Sequence, residues 1–252
     1  MSQLEKAQQF KALHVKGNPL VLYNIWDAGS AASIAKAGAN AVATGSWSVA
    51  VAQGYPDGEA IPLDFLLSIV ERIAATVDLP LSVDFEGAYA EDPATIQKNV
   101  SRLIAAGAVG LNFEDQKVGG SGLHEVAAQA ERIKAVRRAA DEAGIPLVIN
   151  ARTDLFLKEK DGSVHASLIE EAMTRQSAYA AAGADCFFVP GLTDKALITD
   201  VCERSELPVN AILLGDLKAV QDVVPLGVSR VSFGPGPYRV AGKDLAERFS
   251  AI

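Results

Sequence analysis

The sequence predicts an α/β fold, a single-domain (β/α)8 barrel of TIM type, and three observations predict it. Helical stretches alternate with short apolar runs along all 252 residues. The same helix-ending signature recurs before the runs, and six of the eight residues at the carboxyl ends of the runs are polar or charged, whereas the opposite ends carry Gly, Pro, Ala and short turns. Short runs buried on both faces and alternating with helices are parallel strands. Eight such units in roughly 250 residues is the size of a closed barrel.

Taken in order, "MSQLEKAQQFKALHVKG" opens the chain as an amphipathic helix over about residues 2–16, without the apolar centre of a signal peptide. "PLVLYN" (19–24) is the first strand. The second follows a helix ending in Ala-Gly-Ala, "AKAGANAVAT" (35–44), and the fourth and sixth repeat the device in "IAAGAVGLNF" (104–113) and "AAAGADCFFV" (180–189). Glycine best tolerates the left-handed helix C-cap, so each of these stops a helix and returns the chain tightly to the sheet. "TVDLPLSVDF" (76–85), "DEAGIPLVIN" (141–150), "RSELPVNAI" (204–212) and "PLGVSRVSF" (225–233) supply the third, fifth, seventh and eighth strands. A clear helical segment is expected after every strand but the last, where "DLAERF" near the terminus can serve. An open doubly wound sheet is the alternative, weakened because no G-x-G-x-x-G follows the first strand. No linker or low-complexity segment divides the chain, so residues 1–252 read as one domain.

The bulk numbers narrow the function. A net charge of -8 with no basic block argues against nucleic acid or an anionic membrane as partner. No apolar run is long enough to span a bilayer. The 2 cysteines, Cys186 and Cys202, suggest a reducing compartment, with the cytoplasm as the expected location.

Barrel active sites lie at the carboxyl ends of the strands. Here those positions hold Asn24, Thr44, Asp84, Glu114, Arg152, Pro190, Asn210 and Gly234. "LSVDFEGAY" (81–89) delivers Asp84 and then Glu86, which on a continuing strand would share a face. "LNFEDQ" adds Glu114 and Asp115, and "GYPDGE" adds Asp57 and Glu59. Like charges this close are costly unless something positive lies between them. Oxygen-only ligands from several strands suit Mg2+, which keeps most of its waters and needs only one or two direct carboxylates; Mn2+ can replace it. The expected metal site is Asp84, Glu86 and Glu114, with Asp84 bound directly and Glu86, Glu114 and Asp57 holding waters. Acids at strand ends also cap helices, as Glu91-Asp92-Pro93 is expected to do.

Arg152 in "NARTD" (150–154) faces the same mouth, where its fork can take a substrate carboxylate or pair with Asp154 and the cluster acids. "TGSWS" (44–48) is either a carboxylate-binding nest with the Thr44 and Ser46 hydroxyls or an ordinary turn. His14, His124 and His165 lie off the strand ends and lack zinc-ligand spacing. Both cysteines read as buried structural thiols. No lysine ends the sixth strand, which disfavours a Schiff-base aldolase, and "FGPGPYR" (233–239) reads as a turn because its prolines remove N–H donors.

Together, "TGS" before "GYPD", then "DFEGAY", "NFEDQ", "NARTD" and "PVNAI" resemble the isocitrate lyase and phosphoenolpyruvate mutase superfamily over nearly the whole chain. The resemblance implies a (β/α)8 barrel, Mg2+ dependence, a small 2-oxo or 2-hydroxy carboxylate as substrate, and assembly into a homo-oligomer. It implies that Asp84 ligates the metal, that Thr44, Gly45, Ser46, Arg152 and Asn210 bind the substrate, and that Arg152, Glu114 and Asp57 carry catalysis. Two departures stand out. The lyases of the family carry "KKCGH" after the fourth-strand acid, whereas this chain reads "QKVGGSGLHE", without cysteine; the mutases' lysine–threonine–asparagine gate is missing too. The family's D-x-D is "DFE" here. Gly119-Gly120 and Gly122 make that loop a mobile lid. The chain also ends soon after the eighth strand, so the C-terminal helix that relatives exchange is expected to be absent. The function expected is a C–C lyase or decarboxylase acting through an enolate. The alternatives are a phosphonopyruvate or carboxyphosphonate mutase or hydrolase, and a non-catalytic barrel that binds a keto acid.

Overall fold

The computed structural model describes residues 1–252. Eight parallel strands form the barrel: β1 (Leu20–Leu22), β2 (Val42–Ala43), β3 (Leu81–Asp84), β4 (Gly110–Glu114), β5 (Val148–Arg152), β6 (Cys186–Phe188), β7 (Val209–Ile212) and β8 (Arg230–Ser232). Each ladder joins consecutive strands, and β1 pairs with β8 through Leu20–Arg230, Val21–Val231 and Leu22–Ser232. The seam between β1 and β2 is closed just past the strand ends, where Ile25 N–H reaches Ala43 O at 2.8 Å and Gly45 N–H reaches Ile25 O at 3.2 Å.

Helix α1 (Gln3–Ala12) starts in a Ser2/Glu5 capping box and closes the amino-terminal end of the barrel. It stops at Ala12, short of the expected residue 16, because the chain turns back through a Val15–Asn18 bridge with Gly17 left-handed at φ 74°. Its Phe10 is fully buried among Leu20, Leu22, Val109 and Val148. Gly110 makes room for it: a Cβ there would stand 2.6 Å from Phe10 Cε1.

The outer helices are α2 (Ala28–Lys36), α3 (Ser46–Ala52), α4 (Leu63–Thr76), α5 (Pro93–Ala105), α6 (Val126–Ala143), the one-turn α7 (Leu155–Lys158), α8 (His165–Ala181), α9 (Lys195–Arg204) and α10 (Gly236–Ser250). Asp27, Asp92 and Asp194 cap α2, α5 and α9 through backbone N–H groups three residues on. The expected cap at Asp92, with Pro93 in the first turn, is present. The glycines of the Ala-Gly-Ala signatures, Gly38, Gly107 and Gly183, are left-handed at φ 95°, 105° and 102°. An apolar layer of 51 buried residues fills the space between strands and helices. Above the Phe10 plug the barrel interior is polar, holding buried Ser82, Asn112, Asn150, Asn210, Arg230 and Ser232.

Two expectations about helices are corrected. No α-helix follows β7; two 3-10 turns, Val220–Asp222 and Val224–Leu226, stand in its place. Pro225 removes an N–H within that short segment, and the Asp222 carboxylate ties the Lys218 and Ala219 amides at 3.0 Å each. After β8 the chain forms not a short stub but the 15-residue α10, which leaves the barrel wall. Its Val240, Leu245 and Phe249 are 63, 71 and 77% exposed, and the outer face of β1 is also bare at Val21 and Tyr23. No helix is long and apolar enough to cross a membrane.

Candidate active site

A cavity of about 290 Å³ opens at the carboxyl ends of the strands. Gly45, Ser46, Asp57, Asp84 and Arg152, all expected there, line it. So do Asn24, Ser48, Asn112, Ser232 and Arg239, with Leu157, Phe188 and Ile212 among its apolar walls. It contains no lysine, histidine or cysteine.

Asp84 ends β3 with both oxygens held. Ser46 N–H donates to Oδ2 at 2.9 Å and Asn112 Nδ2–H to Oδ1 at 3.2 Å. Its own N–H is fixed by Thr44 Oγ1 at 2.9 Å, so the Thr44 hydroxyl, fully buried, sets the strand end rather than facing the cavity. Asn24 fastens the mouth from the other side, accepting from Phe233 and Gly234 N–H (2.9 Å each) and donating to Thr44 O at 2.9 Å.

Glu86 is not on the strand. It lies one residue past Phe85 in the left-handed region, φ 49°, so the alternation argument does not apply to it. A turn, not a pleat, sets it beside Asp84. Glu59, Ala88 and Tyr89 are also left-handed, at φ 57°, 63° and 56°. Non-glycine residues in that region cost on the order of 1–3 kcal/mol each and persist only where neighbours over-determine them. Glu59 does so: its carboxylate accepts from Gly87 N–H at 2.9 Å and Tyr89 N–H at 2.7 Å. Its N–H in turn meets both oxygens of Glu86 at 3.2 Å. Burial, then the charges of Asp84, Glu114 and Asp57, push the Glu86 carboxyl up to about 9.

Glu114 ends β4, buried, with Oε2 3.0 Å from Arg152 Nη1 and Oε1 accepting from Gln116 Nε2 at 3.0 Å. Burial lifts it above the usual carboxylate range, and Arg152 opposes that. The Arg152 fork is already engaged, with Nε and Nη2 on Asp154 at 2.5 and 3.0 Å. Three acids surround this guanidinium, and Glu114 and Asp154 drive it further into the charged form than burial drives it out.

Several expected partners sit elsewhere. Asp115 turns away from the cavity to Tyr179 Oη (2.8 Å), Arg175 Nη1 (3.2 Å) and Asp154 N–H (2.9 Å), an internal brace between β4 and α8. Asn210 is within β7, not at its end; fully buried, it bonds Ser232 Oγ at 3.2 Å. The loop after β4 is folded on itself as a hairpin by a Gln116–Leu123 bridge, with Gly119 and Gly122 left-handed at its tip. No three acidic, histidine or cysteine side chains converge closely enough to hold a metal ion by themselves.

Three residues were missed. Asn112 lies two positions before Glu114 and so on the same face of β4, a signal that "LNFEDQ" contained. Ser48 keeps a buried hydroxyl with no partner at the cavity wall. Arg239, from the segment read as a turn, extends from α10 with its guanidinium 4.7 Å above the Trp47 ring.

The phosphoenolpyruvate phosphomutase family model matches residues 10–252. A Burkholderia cenocepacia structure provisionally described as a phosphonomutase superposes with a TM-score of 0.96 at 43% identity, covering 99% of both chains. The 2-methylisocitrate lyase of Escherichia coli is 29% identical, over 84% of this chain and 71% of its own. The oxaloacetate decarboxylase of a Bradyrhizobium strain is also 29% identical, over 79% of this chain and 68% of its own. With the barrel, the strand-end acids and a match spanning nearly its full length, the chain belongs to the phosphoenolpyruvate phosphomutase family, a member of the phosphoenolpyruvate mutase/isocitrate lyase superfamily of enzymes.

Proposed function

We propose that this enzyme breaks a C–C bond of a small 2-oxo or 2-hydroxy acid, by retro-aldol cleavage or decarboxylation through an enolate, and that it depends on Mg2+ or Mn2+. One observation carries the reading. Asp57 and Asp84 line the cavity, Glu86 and Glu114 are buried behind it within reach of their charges, and Arg152, the cation among them, is already committed to Asp154. Burial first, and then the neighbouring acids, push the Glu86 carboxyl up to about 9, so the cluster holds a proton that a cation could displace. The donor set fits a hard divalent cation that keeps its waters. Asp84 would hold it directly, since its oxygens have one amide donor each and it faces the cavity. Glu86, Glu114 and Asp57 would hold it through water, consistent with the lack of a three-residue direct cage. When bound, the ion supplies positive charge against the negative charge that develops on the substrate oxygen.

The chain's own residues do the rest. Arg152 keeps Glu114 and Asp154 in register and presents its cavity edge to the substrate carboxylate. Gly45 admits the substrate close to the β2 end, while Ser46 spends its N–H on Asp84 and leaves the anion to its hydroxyl and to Ser48. With no thiol or lysine in the cavity, the enolate is reprotonated by solvent, which suits decarboxylation. That argues for oxaloacetate-like acids, and the oxaloacetate decarboxylase and 2-methylisocitrate lyase relatives act on such chemistry by name. A second reading, phosphonopyruvate mutase or hydrolase, is favoured by the Burkholderia phosphonomutase likeness. Consumption of oxo- and hydroxy-diacids beside phosphonopyruvate, followed by proton and phosphorus NMR with and without EDTA, separates them. Turnover of phosphonopyruvate alone would overturn the lyase reading, and activity surviving EDTA would overturn the metal.

The bare apolar side of α10 and the uncovered outer face of β1 complement one another, so the same reading includes a homo-oligomer in which α10 packs on a second copy. Light scattering decides it: a monomer at micromolar concentration would refute the assembly.

A further inference from the structure

Arg230 is the most unusual charge in the molecule. It projects from β8 into the barrel interior, is 1% exposed, and has no carboxylate in contact. Nε and Nη1 lack hydrogen-bond partners altogether. Nη2 donates to Asn112 Oδ1 at 3.0 Å and to Ser82 Oγ at 3.4 Å, and the guanidinium carbon is 5.8 Å from the centre of the Phe10 ring. A buried ion without a counter-charge costs several kcal/mol, so a purely structural position would favour an apolar side chain.

The Asn112 amide shows what the charge does. Its Oδ1 accepts from Arg230 and also from Asn150 Nδ2 at 2.7 Å, and its Nδ2–H donates to Asp84 Oδ1. Reversing the amide would set its NH2 against the Arg230 guanidinium, which can only donate, and its carbonyl against the Asp84 carboxylate. Asn150, whose own Oδ1 has no partner, could turn to accept and so does not fix the orientation. Arg230 therefore locks the donor end upward. We infer that Arg230 is a positioning residue, acting through Asn112 to hold Asp84 Oδ1 in its cation-binding orientation. This rests on the metal reading above. The charge sits beneath the barrel mouth, out of the cavity, and reaches the site by one neutral amide.

The relay and the bare charge predict opposite signs. Removing a buried positive charge near a cation site, by itself, tightens cation binding. Removing the donor that fixes Asn112 loosens it, and outer partners of metal ligands are worth about 10–100-fold in affinity. Mn2+ binding to the full-length protein, followed by calorimetry, reads the sign directly. Arg230→Met is expected to weaken Mn2+ binding about tenfold, while its apo thermal midpoint stays level or rises. Arg230→Gln, a polar replacement too short to reach Asn112, is expected to weaken it likewise and serves if the Met variant does not fold. In an Asn112→Leu background, itself weakened, Arg230→Met is expected to add nothing. Tighter or unchanged binding in the Arg230 variants, or additive losses in the double variant, overturns the relay. A wild-type protein that binds no Mn2+ instead overturns the metal reading on which it rests.

Discussion

The two ends of the barrel are built on opposite principles. At the amino-terminal end α1 drives Phe10 into an apolar ring, and Gln3 ties the helix down by donating to Ile104 O at 2.7 Å and Ala108 O at 3.0 Å. At the carboxyl end acids crowd one another, and Glu59, Glu86, Ala88 and Tyr89 hold a left-handed backbone. One end is stabilised by packing. The other gives up stability to acids that repel one another, a strain the proposed cation would relieve. Substitutions at the two ends should therefore fall into separate classes, those that move stability and those that move binding.

The largest expected effect is at the mouth. Asp84→Ala should abolish Mg2+ or Mn2+ binding and turnover while leaving the apo midpoint unchanged or higher, because one of several mutually repelling charges is gone. Calorimetry with Mg2+ and a thermal melt test both halves. Unchanged affinity would remove Asp84 from the metal site.

The mirror experiment is at the floor. Phe10→Ala empties a fully buried ring and should cost about 3–5 kcal/mol in urea unfolding, with the cation affinity of the folded fraction unchanged. If affinity falls as well, the ends are coupled through the interior, and Arg230, stacked near Phe10, is the route.

A pH series sharpens the same contrast. Glu86 is raised from 4.5 to about 9, so between those values the folded state holds a proton that the unfolded chain has released. Stability of the apo protein is then greatest at the acid side of this window and declines as pH rises through it, levelling off above the folded value. The decline should be on the order of 2 kcal/mol, since relaxation and water reduce the burial penalty. Saturating Mg2+ should flatten it, and Mg2+ binding at neutral pH should release protons, visible in buffers of different ionisation enthalpy. A flat apo profile would contradict the cluster's electrostatics. Smaller still, Arg152→Lys should weaken oxalate binding roughly tenfold, as lysine lacks the planar fork, with cation affinity changed less. Equal losses would make Arg152 a charge balance for Glu114 and Asp154.

Much of this was legible in the sequence, because strand and helix boundaries are local. Ala-Gly-Ala ends a helix wherever it occurs, and Asp92-Pro93 starts one. The acids at the strand ends were legible for the same reason. What each donor bonds to was not. "TGS" advertises hydroxyls and amides, yet Thr44 Oγ1 and Ser46 N–H are both spent on Asp84, a residue some forty positions away in the chain. Glu86 was brought to the right place by a backbone turn that alternation could not foresee. The polar interior was hidden by the expectation that strands buried on both faces are apolar on both. Asn112, Asn150 and Arg230 break that rule, and only the closed barrel shows that they face one another.

The smallest expected effect lies between the two ends, at the thiols. Cys186 is fully buried within β6 and Cys202 is 3% exposed in α9. Burial pushes both thiols up to about 12, so neither has thiolate to offer at neutral pH. Neither lines the cavity. The cysteine of "KKCGH" has no counterpart in this chain, so no thiol is expected to serve the reaction. Here iodoacetamide should leave the folded protein unmodified by mass spectrometry and turnover unchanged, with both thiols reacting only in urea. The comparison is sharp because the alkylated and untreated samples share every other residue. Loss of activity on modification of Cys186 in the folded protein would show that the barrel opens far enough to expose β6, and the rigid floor described above would have to give way. Retained activity leaves reprotonation to solvent and the carboxyl groups at the mouth, and places the chemistry wholly at that end.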